Sequence, residues 1–335
     1  MLITKATTTT HRFPSNLFLN DILDYEGEKT YKTFDSALLP LNNVWVSPDS
    51  VVYKRGILLK ETLASKDLGS YYRGRHLIKK ILAGKKVNLG NKTKYLLVTD
   101  SWSAGHFHWF CDVLPKLISL SEMAGDFSLL IPDTPYTRNI ATESLKRLDL
   151  RFRDIIWMDE SSFYSIKNLF YLTRITKSGQ MHKKLMERLH HTFTQNFSGG
   201  KDRFYISRDK ARYRKVTNEK ELLPVLRAYN FEIVNTDLLS FSEQFKYFSS
   251  ASVICGLHGA GLTNCVFMPT GGKMVELRKR ENGPSNVGYW HLSDSMGHDY
   301  YYYNGTPDSD LSLVGRGCNL RIDLLDFEKK LLRTL

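Results

Sequence analysis

The chain has 335 residues, 42% hydrophobic, 12% aromatic and 24% charged, which excludes a disordered chain and suffices for one large domain or two. The formal net charge of +12 admits an anionic membrane or an acidic substrate as a partner. The lysines are dispersed rather than gathered with aromatics, which speaks against a nucleic-acid binder.

The first residues, MLITKATTTTHRF, lack the apolar core of a signal peptide, and no apolar run reaches the roughly 18 residues of a membrane span. Residues 1–93 are mixed, with short strands expected at Val44-Trp45-Val46 and Val51-Val52-Tyr53 and a basic amphipathic helix over 71–82. From residue 94 apolar runs alternate with helical patterns, the signature of a parallel sheet. Strands are expected over 94–99, 127–131, 154–157 and 169–172, and helices over 106–123, kinked at Pro115, 136–148 and 180–197. Ser198-Gly199-Gly200-Lys201 breaks the pattern and marks a domain boundary.

The second half repeats the rhythm. Strands are expected over 203–207, 231–235, 252–256, 273–277 and 299–303, and helices over 219–229, 240–250, 259–268, 285–296 and 324–332. Ser240-Phe-Ser-Glu243 reads as a capping box. The organisation expected is α/β, with two domains facing each other. A first α/β domain spans 1–198 (1–93 being poorly defined) and a second 199–315. A last strand and helix, 316–335, pack back on the first domain.

Two constellations carry chemistry. Ser252-Val-Ile-Cys-Gly-Leu-His-Gly-Ala-Gly-Leu-Thr-Asn264 runs from strand to helix with Gly256, Gly259 and Gly261 at the junction, where a ligand can approach the backbone. The free amides and dipole of the following helix favour an anion, but the dipole contributes only about 0.3–1 kcal/mol when exposed. A diphosphate therefore needs cations. Arg208 and Arg214 follow the first strand of this half, at the carboxyl end where open α/β sheets bind ligands, and His258 lies inside the turn. The pattern is neither a Walker A loop nor the dinucleotide fingerprint.

Upstream, Gly105-His-Phe-His-Trp-Phe-Cys-Asp112 opens a helix. His108 and Asp112 are four apart and share a face. Either can act as general base, with Asp112 orienting the ring; a metal pair or a buried structural pair are the alternatives. The four cysteines, Cys111, Cys255, Cys265 and Cys318, show no CxxC spacing, so neither zinc nor a redox motif is expected, and a reducing compartment is favoured. Asp308-Ser-Asp310 has the form of a divalent-cation motif but reads more simply as a solvated loop. Tyr289, Trp290 and His291 are read as core rather than as a stacking platform.

His108-x-Phe110-x-Asp112, a later Ser207-Arg208, Asn218-Glu219, Phe241-Ser-Glu-Gln244 and His258-Gly-Ala-Gly-Leu-Thr-Asn264, in this order, resemble glycosyltransferase family 61. The resemblance runs from about Ser101 to Glu276. It implies two Rossmann-like domains of GT-B type, 1–198 being the acceptor side and 199–315 the nucleotide-sugar side, a UDP-sugar donor, inversion at the anomeric carbon and no essential metal or other cofactor. Matched residue by residue, it places Arg208, Arg214, His258, Gly259, Ala260, Gly261, Asn264 and Glu276 at the donor and Asp112 or His108 as base. Gly105 departs from the asparagine found in many relatives. The acceptor expected is a glycan or lipid-linked glycan in cell-surface polysaccharide synthesis, and the setting cytoplasmic, peripheral to an anionic inner membrane. The rival expectation is a nucleotide- or glycan-binding protein without transferase activity.

Overall fold

The computed structural model describes residues 1–73, 84–197, 199–280, 287–312 and 317–335. It is a mixed α/β structure in two units, one built from residues 1–7 and 33–178, the other from 8–32 and 179–335.

In the first unit the strands Asp154–Met158, Phe127–Pro132, Lys94–Leu97 and Ser162–Leu172 lie side by side and run parallel. The sheet then continues antiparallel through Ser36–Val46, Val52–Lys54 and Ile57–Leu58. The expected parallel sheet is thus extended by antiparallel strands. Only Val44-Trp45-Val46 was legible in the first of them, because its middle, Leu39-Pro-Leu-Asn-Asn43, is largely solvent-facing and carries no apolar alternation. Ser162–Leu172 is also longer than the expected 169–172. Its buried residues Tyr164, Ile166, Leu169 and Tyr171 join Val44, Val46, Tyr95, Leu97 and Leu130 in one core. The helix expected over 71–82 falls mostly outside the described residues; a helical turn occupies Gly69–Arg73.

The helix expected over 106–123 is broken. It opens at His106–His108, widens to a π-helical stretch at Trp109–Val113 and resumes at Leu114–Ser119. Pro115 sits in the first turn of that last piece, directly after the π-helical stretch, and cannot donate to a carbonyl of the preceding turn.

In the second unit five strands are all parallel, in the order Phe231–Val234, Asp202–Ile206, Ala251–Leu257, Lys273–Arg278, Asp299–Asn304. The strand order reverses between Asp202–Ile206 and Ala251–Leu257, and such a switch point is where open α/β sheets bind ligands. One face packs Tyr205, Val253, Cys255, Val275 and Leu277 against Leu222, Leu226 and Phe327. On the other, Phe204 meets Phe248, and Phe241, Phe245 and Phe193 surround Phe267. The helix Phe241–Phe248 starts on the expected capping box, Ser240 and Glu243 each bonding the other's backbone N–H, an arrangement that contributes about 1 kcal/mol.

Two boundaries differ from the sequence reading. The helix Lys183–Thr194 belongs to the second unit, so the division falls after residue 178 rather than 198. Residues 317–335, expected to return to the first domain, supply Cys318, Leu320, Ile322, Phe327, Leu331 and Leu332 to the second unit's core. Asn218 holds them there, donating to Ile322 O at 2.8 Å and accepting from Ile322 N at 3.0 Å. No described helix is long and apolar enough to cross a membrane.

Candidate active site

In the second unit, Gly256 pairs with Ile206 across the switch point, and a Cβ there would stand 3.2 Å from the Ile206 Cβ and 3.5 Å from Leu262 Cδ2. Glycine lets the chain after the strand turn back close to its neighbour. The segment that follows, Ala260–Phe267, is a 3-10 helix rather than the α-helix expected over 259–268. His258, Ala260 and Gly261 remain partly exposed.

Arg208 and Arg214 converge on this turn. Arg208 lies over Gly259, and among the described residues it pairs with no carboxylate: Nε donates to Arg214 O at 3.0 Å and Nη2 to Tyr213 O at 3.4 Å. Arg214, held at φ +58°, directs Nη1 to His258 O at 3.5 Å. Burial, and then the Arg208 charge, lower the Arg214 guanidinium from its ordinary value. Two crowded cations at a strand's carboxyl end create a local positive potential that suits an anion. Glu219 braces the preceding strand by accepting from Tyr205 Oη at 2.9 Å and Ser207 Oγ at 3.1 Å.

Two residues expected at the donor lie behind the turn. Asn264 is fully buried and donates to Gln244 Oε1 and Gly261 O, both at 3.0 Å, so it and Gln244 fasten the turn from within. Glu276 is likewise fully buried and accepts from His258 Nδ1 and Tyr300 Oη. Trp290 and His291 are core residues, as read; Tyr289 sets its ring edge-on to His258 at 5.0 Å.

In the first unit, Asp112 Oδ2 accepts from His108 Nδ1 at 2.7 Å and from Ser178 Oγ at 3.2 Å. The Asp112 side chain is 6% exposed and that of His108 26%. The ring therefore stands in front with the carboxylate behind it, and Nε2 makes no hydrogen bond among the described residues. Burial works to raise the Asp112 carboxyl, but the His108 hydrogen bond and charge, with Arg174 and Lys116 beyond, bring it below its ordinary value. Lys116, one further turn along, is buried and donates to Val98 O; burial pulls its ammonium down to about 8 against the pull of Asp100. Ser178 faces the Nδ1 side of the ring, so it supports the pair and is not a nucleophile activated by Nε2. Nothing in the local sequence pattern around Ser178 marks it, 66 residues from Asp112.

Asp308 ties its loop by accepting from Asn319 N at 2.9 Å and Nδ2 at 2.6 Å. Among the described residues no group of three His, Cys, Asp or Glu side chains is placed to hold a metal ion.

Both sites fall within or beside a stretch that matches a known family model, Glycosyltransferase 61, over residues 106–275, half of the chain. The chain belongs to the glycosyltransferase 61 family. A similar family member is the EGF domain-specific O-linked N-acetylglucosamine transferase of Drosophila melanogaster, 37% identical over 81 residues, 23% of this chain and 15% of that protein. Another is an alpha-1,3-arabinosyltransferase of Oryza sativa subsp. japonica, 25% identical over 253 residues, 66% of this chain and 42% of the relative. The chain therefore spans less than half the length of either family member.

Proposed function

We propose that this protein is an inverting, metal-independent glycosyltransferase of GT-B type. It moves a sugar from a UDP donor to a hydroxyl of a glycan or lipid-linked glycan, in cell-surface polysaccharide synthesis at the cytoplasmic face of an anionic membrane. The observation that carries the reading is the convergence of Arg208 and Arg214 on the Gly259–Gly261 backbone at the switch point of a parallel sheet.

The chemistry is a single displacement. His108 Nε2 takes the proton of the acceptor hydroxyl, and Asp112 holds the ring by Nδ1 and stabilises the imidazolium that forms. The hydroxyl oxygen forms its bond to the anomeric carbon as the bond to the diphosphate breaks on the opposite face, through an oxocarbenium-like transition state. The charge that accumulates on the diphosphate meets Arg208, Arg214 and the amides of the turn. Each charge-assisted hydrogen bond contributes about 1.5–3 kcal/mol.

The test is a panel of UDP-, GDP- and TDP-sugars, with and without EDTA, read by nucleotide binding and release. UDP-sugar turnover that survives EDTA is expected. If no nucleotide binds, the proposal fails; loss of turnover in EDTA ends metal independence; binding without release on any acceptor points to a binding protein.

A further inference from the structure

The family resemblance places Glu276 at the donor, but it lies on the strand Lys273–Arg278 with no exposed surface, so it cannot touch a ligand directly. Its two oxygens are both engaged, one by His258 Nδ1 and the other by Tyr300 Oη. Burial and then the Glu276 charge push the Tyr300 phenol well up, so Tyr300 is the donor in that contact. Beside them Arg278, 2% exposed, donates to Tyr25 Oη at 2.8 Å and stacks at 5.5 and 5.8 Å from the rings of Tyr25 and Tyr302. The Glu276 carboxylate thus has a buried counter-charge and two fixed partners. His258 is the single member of this group at the surface, and its Nε2 makes no hydrogen bond among the described residues.

We propose that Glu276 is a positioning residue: it holds the proton of His258 on Nδ1 and fixes the ring plane, so that Nε2 is presented as an acceptor to a ribose hydroxyl of the nucleotide. This rests on the reading of the glycine turn as a donor site. Tyr300, Arg278 and Tyr25 act one step further back, by keeping the carboxylate in place. Tyr25, Glu276, Arg278 and Tyr300 all lie outside residues 106–275, the span of the family match.

The test is a double-mutant cycle on UDP affinity, which separates an effect through His258 from a general packing effect. His258→Ala and Glu276→Ala are each expected to weaken UDP up to about tenfold, the loss of one hydrogen bond, and the double variant no further. Glu276→Gln, whose amide oxygen can still accept from Nδ1, restores most of the affinity. Additive losses, or a Glu276→Ala protein that binds UDP as the wild type does, overturn the proposal. Should Glu276→Ala not fold, the ring nitrogen spectrum of 15N-histidine-labelled wild-type protein decides without a ligand. It is expected to show His258 protonated on Nδ1, and a proton on Nε2 alone overturns the proposal. Wild-type protein that binds no nucleotide ends the donor-site reading, while the ring spectrum still reports whether Glu276 sets the tautomer.

Discussion

The Arg208 guanidinium stands so close over Gly259 that a Cβ on that glycine would lie 2.8 Å from Nη1. The cation of the anion site and the bare backbone beneath it occupy adjoining space. Gly259→Ala is therefore expected to displace the end of a flexible side chain rather than the fold. UDP affinity should fall about tenfold, in line with one weakened charge-assisted contact, with little change in Tm. Calorimetric titration and thermal melting check the two halves of this outcome.

Gly261→Ala is expected to behave differently. Its Cβ would lie 2.8 Å from Ile206 Cγ2 and 3.3 Å from Thr236 Oγ1. Ile206 is a branched, buried residue of a central strand and cannot swing away as an arginine tip can. Overpacking of this kind costs about 1–3 kcal/mol, measurable as a lower urea midpoint at unchanged m-value.

Arg208→Ala and Arg214→Ala should each weaken UDP about tenfold to a hundredfold. The wild-type affinity should also fall with added salt more steeply than that of either variant, because fewer charges are then screened. Removing either arginine without change in UDP binding would sink the anion site.

The order of His108 in front and Asp112 behind predicts that the pair works as a unit. His108→Ala and Asp112→Asn should each lower kcat by about 10²–10⁴-fold, the double variant no more than the worse single one, and UDP affinity should hardly change. Normal turnover in His108→Ala would move the base to Asp112 or elsewhere. Ser178→Ala, which removes one hydrogen bond to Asp112, should have a smaller effect of the same kind.

Buried histidines make the second unit acid-sensitive. Burial, then the charge of His11, holds His291 down to about 4, and burial, then the charge of His190, holds His298 down to about 3. An unfolded histidine titrates near 6.5, so below that pH the unfolded chain binds protons that the folded chain refuses, and stability falls as the pH drops from 6.5 toward 4. Each of these rings contributes about 2 kcal/mol of loss between pH 7 and 5. Urea denaturation across this range should show the slope, and His298→Gln should reduce it.

What could be read from the chain alone is what local periodicity encodes. The strands Lys94–Leu97, Phe127–Pro132 and Asp154–Met158, and all five of the second unit, are short apolar runs bounded by turns, and each lies where its pattern put it. The glycine turn and the His108–Asp112 spacing were legible for the same reason. Arg208 and Arg214 followed from the physics of a diphosphate, which one helix end cannot hold. Three features were not legible. The π-helical widening at Trp109–Val113 has no simple sequence mark. Asn264 shares a motif with exposed residues and Glu276 lies on the next strand, and only packing reveals that both sit behind the turn. The long strand Ser36–Val46 is defined by its pairing with Ser162–Leu172, more than a hundred residues away, which no window on the sequence can see.

Residues 8–32 belong to the unit that is otherwise made of 179–335, and this sets an order of events during synthesis. Tyr25 meets Arg278 across 253 positions, His11 meets Asp294 across 283, and Asn16 holds Tyr302 across 286. On a ribosome the early segment emerges long before its partners. It must wait through the production of the whole first unit, with Leu19 and Leu23, strongly exposed even in the folded protein, already in solvent. The closing of so long a loop is slow and offers an opening for aggregation. Expression of this protein should thus respond to chaperone supply and to slower growth temperature more than its ordinary composition suggests.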